Sequence, residues 1–522
     1  MNNNRALFIA SFLTLIAAGV GFGVRTGILR EWGGQYGFTN YELGIITGQG
    51  LVGFGIVILL ASLITDRVGY KTVLLGAFVL HVISAVITLA AGPVYQSAGK
   101  EATFWCLLAG MFLFSVANGL CEAVINPLVA TLYPKQKTHY LNILHAGWPG
   151  GLILGGLLGL CIVGKEAKIA TLPWEVSWGL FLVPTLIYGL IVLKEKFPVS
   201  EARAAGVSYG EMLKNFASPL LLALLLLHAC VGYVELGTDS WITSITNAIT
   251  GQGFLLFIYA SAIMFVLRFF AGPIVERINP LGLLLASSVI GCIGLYLIST
   301  SNSTGMAWMA VGIYGIGKTF LWPTMLGVVG ERFPRGGAIT MGAMGGIGML
   351  SAGLLGGPGI GYKQDYYASS ELQQTAPSTY ERYQAANEDS FLFLPKIRGL
   401  DGQKVEVVLD DPPGKTLTND LAKITTAPTV DQEVKQRFEN LGKWWEAAEP
   451  YAKEDSAAVL KARVHGGRMA LQWTALVPFV MACGYLLLVL YFQMKGGYKV
   501  ELLHGHQPEG EEFTGGVEGP VR

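Results

Sequence analysis

The chain has 522 residues, enough for several soluble domains, yet 52% of them are hydrophobic, 14% are charged and the mean hydropathy is +0.49. That balance excludes an ordinary soluble globular protein and points to a membrane protein. The 36 basic and 36 acidic residues cancel, which argues against a nucleic-acid partner.

Spanning a hydrocarbon core takes roughly 20 apolar residues per helix. Twelve segments qualify, near 6–28, 42–64, 72–92, 102–132, 140–163, 174–193, 216–239, 252–272, 280–299, 305–332, 337–360 and 468–493. The first has too long an apolar run and no clear cleavage site for a signal peptide, so it reads as a span. The 68 glycines suit close helix packing. The six cysteines all fall inside apolar runs without metal-ligand or disulfide spacing, and neither a metal nor another cofactor is expected. Basic residues crowd one set of loops: Arg67 and Lys71, Lys135 and Lys137, Lys194 to Lys214, Arg277, Arg332 and Arg335, Lys495 and Lys499. The opposite loops carry mainly Arg30, Lys100, Lys165 and Lys168, so the positive-inside rule predicts a multi-pass cell-membrane protein with both termini in the cytoplasm.

Six spans, a polar connector and six more suggest an all-α membrane fold built from a duplicated bundle. NGLCEAVINP (Asn118 to Pro127) lies over YGIGKTFLWP (Tyr314 to Pro323), and GGLLG at Gly155 over AGLLG at Ala352. In this register Glu122 meets Lys318. A shorter repeat, TGQG at Thr47 and Thr250, is weaker because its register differs. The expected division is an N-terminal six-helix bundle (1–193), a cytoplasmic connector (194–215), helices 7–11 (216–360), an extracytoplasmic insert (361–466), helix 12 (467–493) and a cytoplasmic tail (494–522). Within the insert, KVEVVLDDPPGK reads as a strand and turn. The following stretch has helical spacing, with Val434, Phe438, Leu441, Trp445 and Ala448 on one stripe. A small cap over the outer mouth and a substrate-capturing domain are its two readings.

Ionisable residues inside membrane spans are costly, by roughly 2.5 to 3.5 kcal/mol on insertion scales, and normally face a cavity or a partner. Glu122 sits ~16 Å from the basic-loop end of its helix, near the midplane, and shares a face with Gly119 and Asn126. It reads as a proton or substrate site, the alternative being a structural ion pair with Arg25 or Lys318. Lys318 lies between Tyr314 and Trp322 at i, i+4 and i+8, a stripe suited to stacking on a sugar ring or simply to packing. Arg25, nearer the outer end of its span, is a substrate contact or a snorkelling cation. Asn142, His145 and Trp148 flank Pro149 on the next helix, and Glu235 shares a face with His228 and Asp239. His81 and Arg268 read as structural. The candidate substrate-binding set is Arg25, Asn126, Asn142, His145, Trp148, Glu235, Tyr314, Lys318 and Trp322.

Between spans two and three stands SLITDRVGYKT, whose acid, base and glycine could lock two helices at a membrane face and release them. The loop resembles the signature of the major facilitator superfamily, Gly-x-Leu-x-Asp-Arg-x-Gly-Arg-Lys, through Asp66, Arg67, Gly69 and Lys71. A degenerate copy, GPIVERIN, follows span eight, with Gly272, Glu276 and Arg277 matching and Asn279 in place of glycine. The resemblance implies twelve transmembrane helices in two pseudo-symmetric six-helix bundles. It also implies a gating loop at Asp66, Arg67, Gly69, Lys71, Glu276 and Arg277. Within that superfamily, GLCEAVINPLVATLYP and LNILHAGWPGG are similar to the fourth and fifth helices of the fucose:proton symporter family. Gly119, Glu122, Asn126, Pro127, Leu141 and Asn142 match; Ala123, His145 and Trp148 depart, and the family's first-helix aspartate has no counterpart beside Arg25. This resemblance implies a monomeric sugar-and-proton cotransporter in the lipid bilayer with Glu122 as the proton carrier. An efflux antiporter for a small organic molecule and a non-transporting sensor on the same scaffold stay open. No nucleophile with a matched base supports an enzyme.

Overall fold

The computed structural model describes residues 3–38, 42–43, 45–46, 50–162, 172–426 and 432–503. Thr47, Lys165, Lys168 and the tail beyond 503 lie outside these residues, as does the side chain of Val434. Among the described residues the structure is helical, apart from isolated bridges at Gln384–Leu400 and Asp389–Ile397. The first half comprises α1 (Asn3–Gly23), α2 (Arg25–Tyr36), α3 (Gly50–Val68), α4 (Tyr70–Leu89), α5 (Ala91–Leu132), α6 (Lys137–Ile162) and α7 (Leu182–Lys194). The second comprises α8 (Pro219–Gly232), α9 (Thr238–Thr250), α10 (Gly253–Arg268), α11 (Ala271–Thr300), α12 (Thr304–Lys318), α13 (Leu321–Arg332) and α14 (Gly337–Ser351). After these come α15 (Gly357–Thr375), α16 (Gly402–Leu409), α17 (Lys415–Thr426), α18 (Gln432–Ala448), α19 (Ala452–Thr474) and α20 (Leu476–Met494).

Among the described residues, ten helical stretches are long and apolar enough to cross a membrane. The described parts of the twelve expected segments fall on helix, several of them interrupted: the first after Gly23, the sixth before Leu182 and the last after Thr474. Helix α10 has only 16 residues, and the segment expected at 305–332 is split into α12 and α13. The split falls beside Pro323, whose ring and missing N–H disfavour an unbroken helix through this point.

The duplicated register is visible in how the helices touch. Helix α1 packs on α6, where a Cβ on Gly19 would stand 2.4 Å from the Trp148 carbonyl and one on Gly151 2.5 Å from that of Ile16. In the second half α8 packs on α14, and a Cβ on Gly232 would stand 2.0 Å from the Gly348 carbonyl. The repeated glycines therefore bring backbones together in both halves. The halves meet each other along α3 against α14 and α6 against α10. The loop motif and its copy also match in backbone. Gly69 has φ +92°, and Asn279 has φ +54° with its Oδ1 accepting the Leu281 and Gly282 N–H groups. Asparagine tolerates positive φ better than most residues, which accounts for its standing where the motif has glycine.

One expectation for the later segment changes. KVEVVLDDPPGK is not a strand: its first residues form α16, whose start is capped by the Asp401 side chain accepting from Gln403 and Lys404 N–H. The valines owe their place to packing rather than propensity, since Val405 and Val408 are buried with Leu417, Phe438 and Trp445. The Pro-Pro-Gly turn stands, with Gly414 at φ +81°. The insert bounds expected at 361 and 466 lie along continuous helices. Helix α15 runs through the first and α19 through the second, and the two pack so closely that a Cβ on Gly466 would lie 2.3 Å from the Gln364 carbonyl.

Candidate functional site

Glu122 is on α5, five residues before Pro127, in a stretch where almost every residue is buried. The Asn126 side-chain amide donates to Glu122 Oε2 at 2.7 Å and to the Glu122 carbonyl at 3.1 Å, a one-turn contact that holds the carboxylate against its own helix. Asn126 Oδ1 lies 2.9 Å from His145 Nε2 on α6, so one amide joins the acid to the imidazole. No ion pair reaches Glu122 among the described residues; the cations paired with it in the sequence reading lie elsewhere.

Arg268, read as structural from the sequence, turns out to connect the halves. Its guanidinium is 1% exposed and uses three nitrogens in three directions: Nε donates to the Thr319 carbonyl at 2.8 Å, Nη1 to the His145 carbonyl at 2.6 Å, and Nη2 to Glu235 Oε1 at 3.0 Å. A planar fork of fixed donors suits such a junction better than a lysine would. Glu235 reaches it from a π-helical turn, Tyr233–Gly237, that follows α8. One turn on, Asp239 pairs with Lys318 at the end of α12. The repeat-equivalent mate of Glu122 is thus committed to an acid of its own half.

The remaining candidates are distributed around this network. Tyr314 is buried, donates its hydroxyl to the Val234 carbonyl at 2.7 Å, and lies with its ring centroid 5.3 Å from the Lys318 ammonium. Trp322 packs on His228 at a centroid distance of 4.6 Å. Asn142 donates to Thr324 Oγ1 at 3.1 Å, a second polar link between the halves. Trp148 sits farther along α6 against Phe22, centroids 5.1 Å apart. The Arg25 guanidinium lies 4.0 Å from the centre of that same Phe22 ring and 5.7 Å from Phe114.

Toward the ends of α3, α5 and α13, the halves are sealed together. Asp66 Oδ2 accepts the Ala338 N–H at 2.9 Å. Lys137 donates to Glu201 at 2.6 Å and to the Gly330 carbonyl at 2.9 Å, while Glu331 accepts from both the N–H and the hydroxyl of Thr138. Arg203 donates to the Asp66 carbonyl at 3.2 Å, Arg67 stacks on Tyr209 at 3.9 Å, and Lys71 donates to the Leu193 and Glu195 carbonyls. Among the described residues, Asp66, Arg67 and Lys71 of the first loop copy make such contacts, whereas Glu276 and Arg277 are exposed. Sequence reading missed Lys137, Thr138 and Glu331, although an acid and a base inside otherwise apolar helix ends were a usable signal.

The chain resembles known proteins chiefly through its fold. It is 28% identical over 156 residues to the hexuronate transporter of Bacillus subtilis (strain 168), covering 29% of this chain and 33% of that protein. It is 21% identical over 137 residues to the L-fucose-proton symporter of Escherichia coli (strain K12), covering 26% and 30%. The chain thus spans about a third of the length of each of these relatives. The crystal structure of the transporter FucP in the outward conformation superposes with a TM-score of 0.56 at 16% identity, covering 69% of this chain and 92% of that one. Residues 7–357 match the Major Facilitator Superfamily as a whole. With the paired loop motifs and the duplicated helix contacts behind that match, the chain belongs to the Major Facilitator Superfamily.

Proposed function

We propose that this protein is a secondary active transporter that works by alternating access and takes up a sugar or similar small polar solute together with protons. The observation that carries the reading is Glu122: a carboxylate near mid-span with an amide partner and, among the described residues, no ion pair, joined through Asn126 and His145 to the inter-half junction at Arg268. Protonation of a carboxylate so placed would remove the cost of burying its charge, so proton uptake and closure support each other. The solutes named for the two relatives, hexuronate and L-fucose, are small and rich in hydroxyls, which fits a site of amides, an imidazole and aromatic rings.

In this reading the first six spans and the last six rock against each other. The seal at Asp66, Lys137 and Glu331 is the cytoplasmic gate in its closed state, and both termini lie on that side of the cell membrane. The segment from 361 to 466 is extracytoplasmic, and the monomer is the working unit. Reconstituted Glu122→Gln protein tests the coupling. Proton-driven uptake in proteoliposomes is lost while solute counterflow persists; intact proton-driven uptake in this variant would refute the role of Glu122.

A further inference from the structure

Arg25 is the membrane-embedded charge that the mechanism above leaves unused. It opens α2, just beyond the break after Gly23. Its Nε is buried without a hydrogen-bond partner, and no ion pair satisfies its guanidinium among the described residues. What it has instead is aromatic: the Phe22 face at 4.0 Å and the Phe114 ring at 5.7 Å, with Trp148 packed on Phe22 at a centroid distance of 5.1 Å. Part of the side chain nevertheless stays accessible, so it is not walled off.

A guanidinium in a low-dielectric bundle normally finds a carboxylate, a phosphate or several carbonyls, because leaving its donors unused is costly. Here Glu235 and Asp239 of the second half are engaged by Arg268 and Lys318, and Glu122 is held by Asn126. The Phe22 ring face holds the guanidinium at 4.0 Å without using its N–H donors, and a fork with free donors is what reads a planar anion. We propose that the transported solute carries a carboxylate and that Arg25 binds it, with Phe22 and Trp148 flanking its body. The inference rests on the uptake reading and narrows it from small polar solutes to organic acids. It also accounts for the unmatched charges of the first half together, since a carboxylate on Arg25 and a proton on Glu122 neutralise both at once.

The test uses matched acid and neutral solutes on the full-length purified protein: glucuronate against glucose, and 3-phenylpropionate against 3-phenylpropanol. Thermal stabilisation and uptake into proteoliposomes are read for each. The expected result is that one acid, and not its neutral partner, stabilises the protein and is taken up. Arg25→Gln then weakens binding by about 30-fold or more, the loss typical of stranding one member of a buried charge pair. Arg25→Lys retains part of it, and an unliganded melting temperature close to wild type shows that each variant is folded. A neutral solute handled as well as its acid, or acid binding unchanged in Arg25→Gln, overturns the proposal and leaves the uptake reading standing. If no solute of either kind binds or moves, both fail.

Discussion

In the second half of the chain, the acids that follow α8 each have a base: Glu235 meets Arg268 at 3.0 Å, and Asp239 meets Lys318. In the first half, Glu122 leans on an amide of its own helix and Arg25 lies on a phenyl ring. Duplicated scaffolds thus carry their buried charge differently. Paired charges set a rigid framework whose members cannot be removed singly, whereas unpaired ones are available to a proton or a solute without first breaking a bond. The first half is therefore the better place for events that change charge, and the second for holding geometry.

The sharpest way to break that comparison is to neutralise one charge in each half. Arg268→Gln leaves Glu235 buried without its base and also removes the bonds to the His145 and Thr319 carbonyls, so a loss of about 3–5 kcal/mol is expected. Uptake should fall with it, and adding Glu235→Gln should restore a good part of the stability. Glu122→Gln strands no cation and can still bond Asn126, so its cost should stay within about 1 kcal/mol. Unfolding in detergent, followed by tryptophan fluorescence, distinguishes the two. Equal losses would mean that Glu122 has a charged partner after all.

A smaller difference is expected where backbones cross. Gly232→Ala forces a Cβ to 2.0 Å from the Gly348 carbonyl, and Gly19→Ala to 2.4 Å from that of Trp148. Overpacking of this kind costs about 1–3 kcal/mol. The tighter α8–α14 contact should sit at the upper end, with less room to relax because the π-helical turn follows immediately. Melting temperatures of the two alanine variants give the order, and a reversed order would show that the second half is the more compliant one.

Much of the architecture was legible because it follows from pattern: apolar length marked the spans, and the two loop motifs and the glycine repeats marked the duplication. The helix α5 face of Gly119, Glu122 and Asn126 was legible for the same reason, since one-turn spacing is local. Arg268 was not, because its partners Glu235, Thr319 and His145 come from three other segments far away in sequence. The equivalence of Glu122 with Lys318 was also read as proximity, whereas repeat symmetry relates positions across the bundle without making them touch. In the later segment, valine-rich KVEVV suggested a strand, but the Asp401 cap and a buried valine face made it helix. Local propensity lost there to a contact that no single-segment reading contains.

The two copies of the gating loop offer the finest discrimination. Asp66 accepts the Ala338 N–H at 2.9 Å and so ties α3 to the start of α14, while Glu276, at the equivalent place in the second half, is exposed. Asp66→Asn keeps the shape but weakens a charge-assisted bond, and about 1 kcal/mol of the seal should go with it. Glu276→Gln should change stability by no more than about 0.5 kcal/mol. In the alternating-access reading the lost bond belongs to one conformation, so its main consequence is a shift of population rather than unfolding. Cysteine pairs bridging α3 and α14 near Asp66 would then crosslink less in Asp66→Asn than in Glu276→Gln. Equal crosslinking would place the two copies on the same footing and remove the asymmetry at this face.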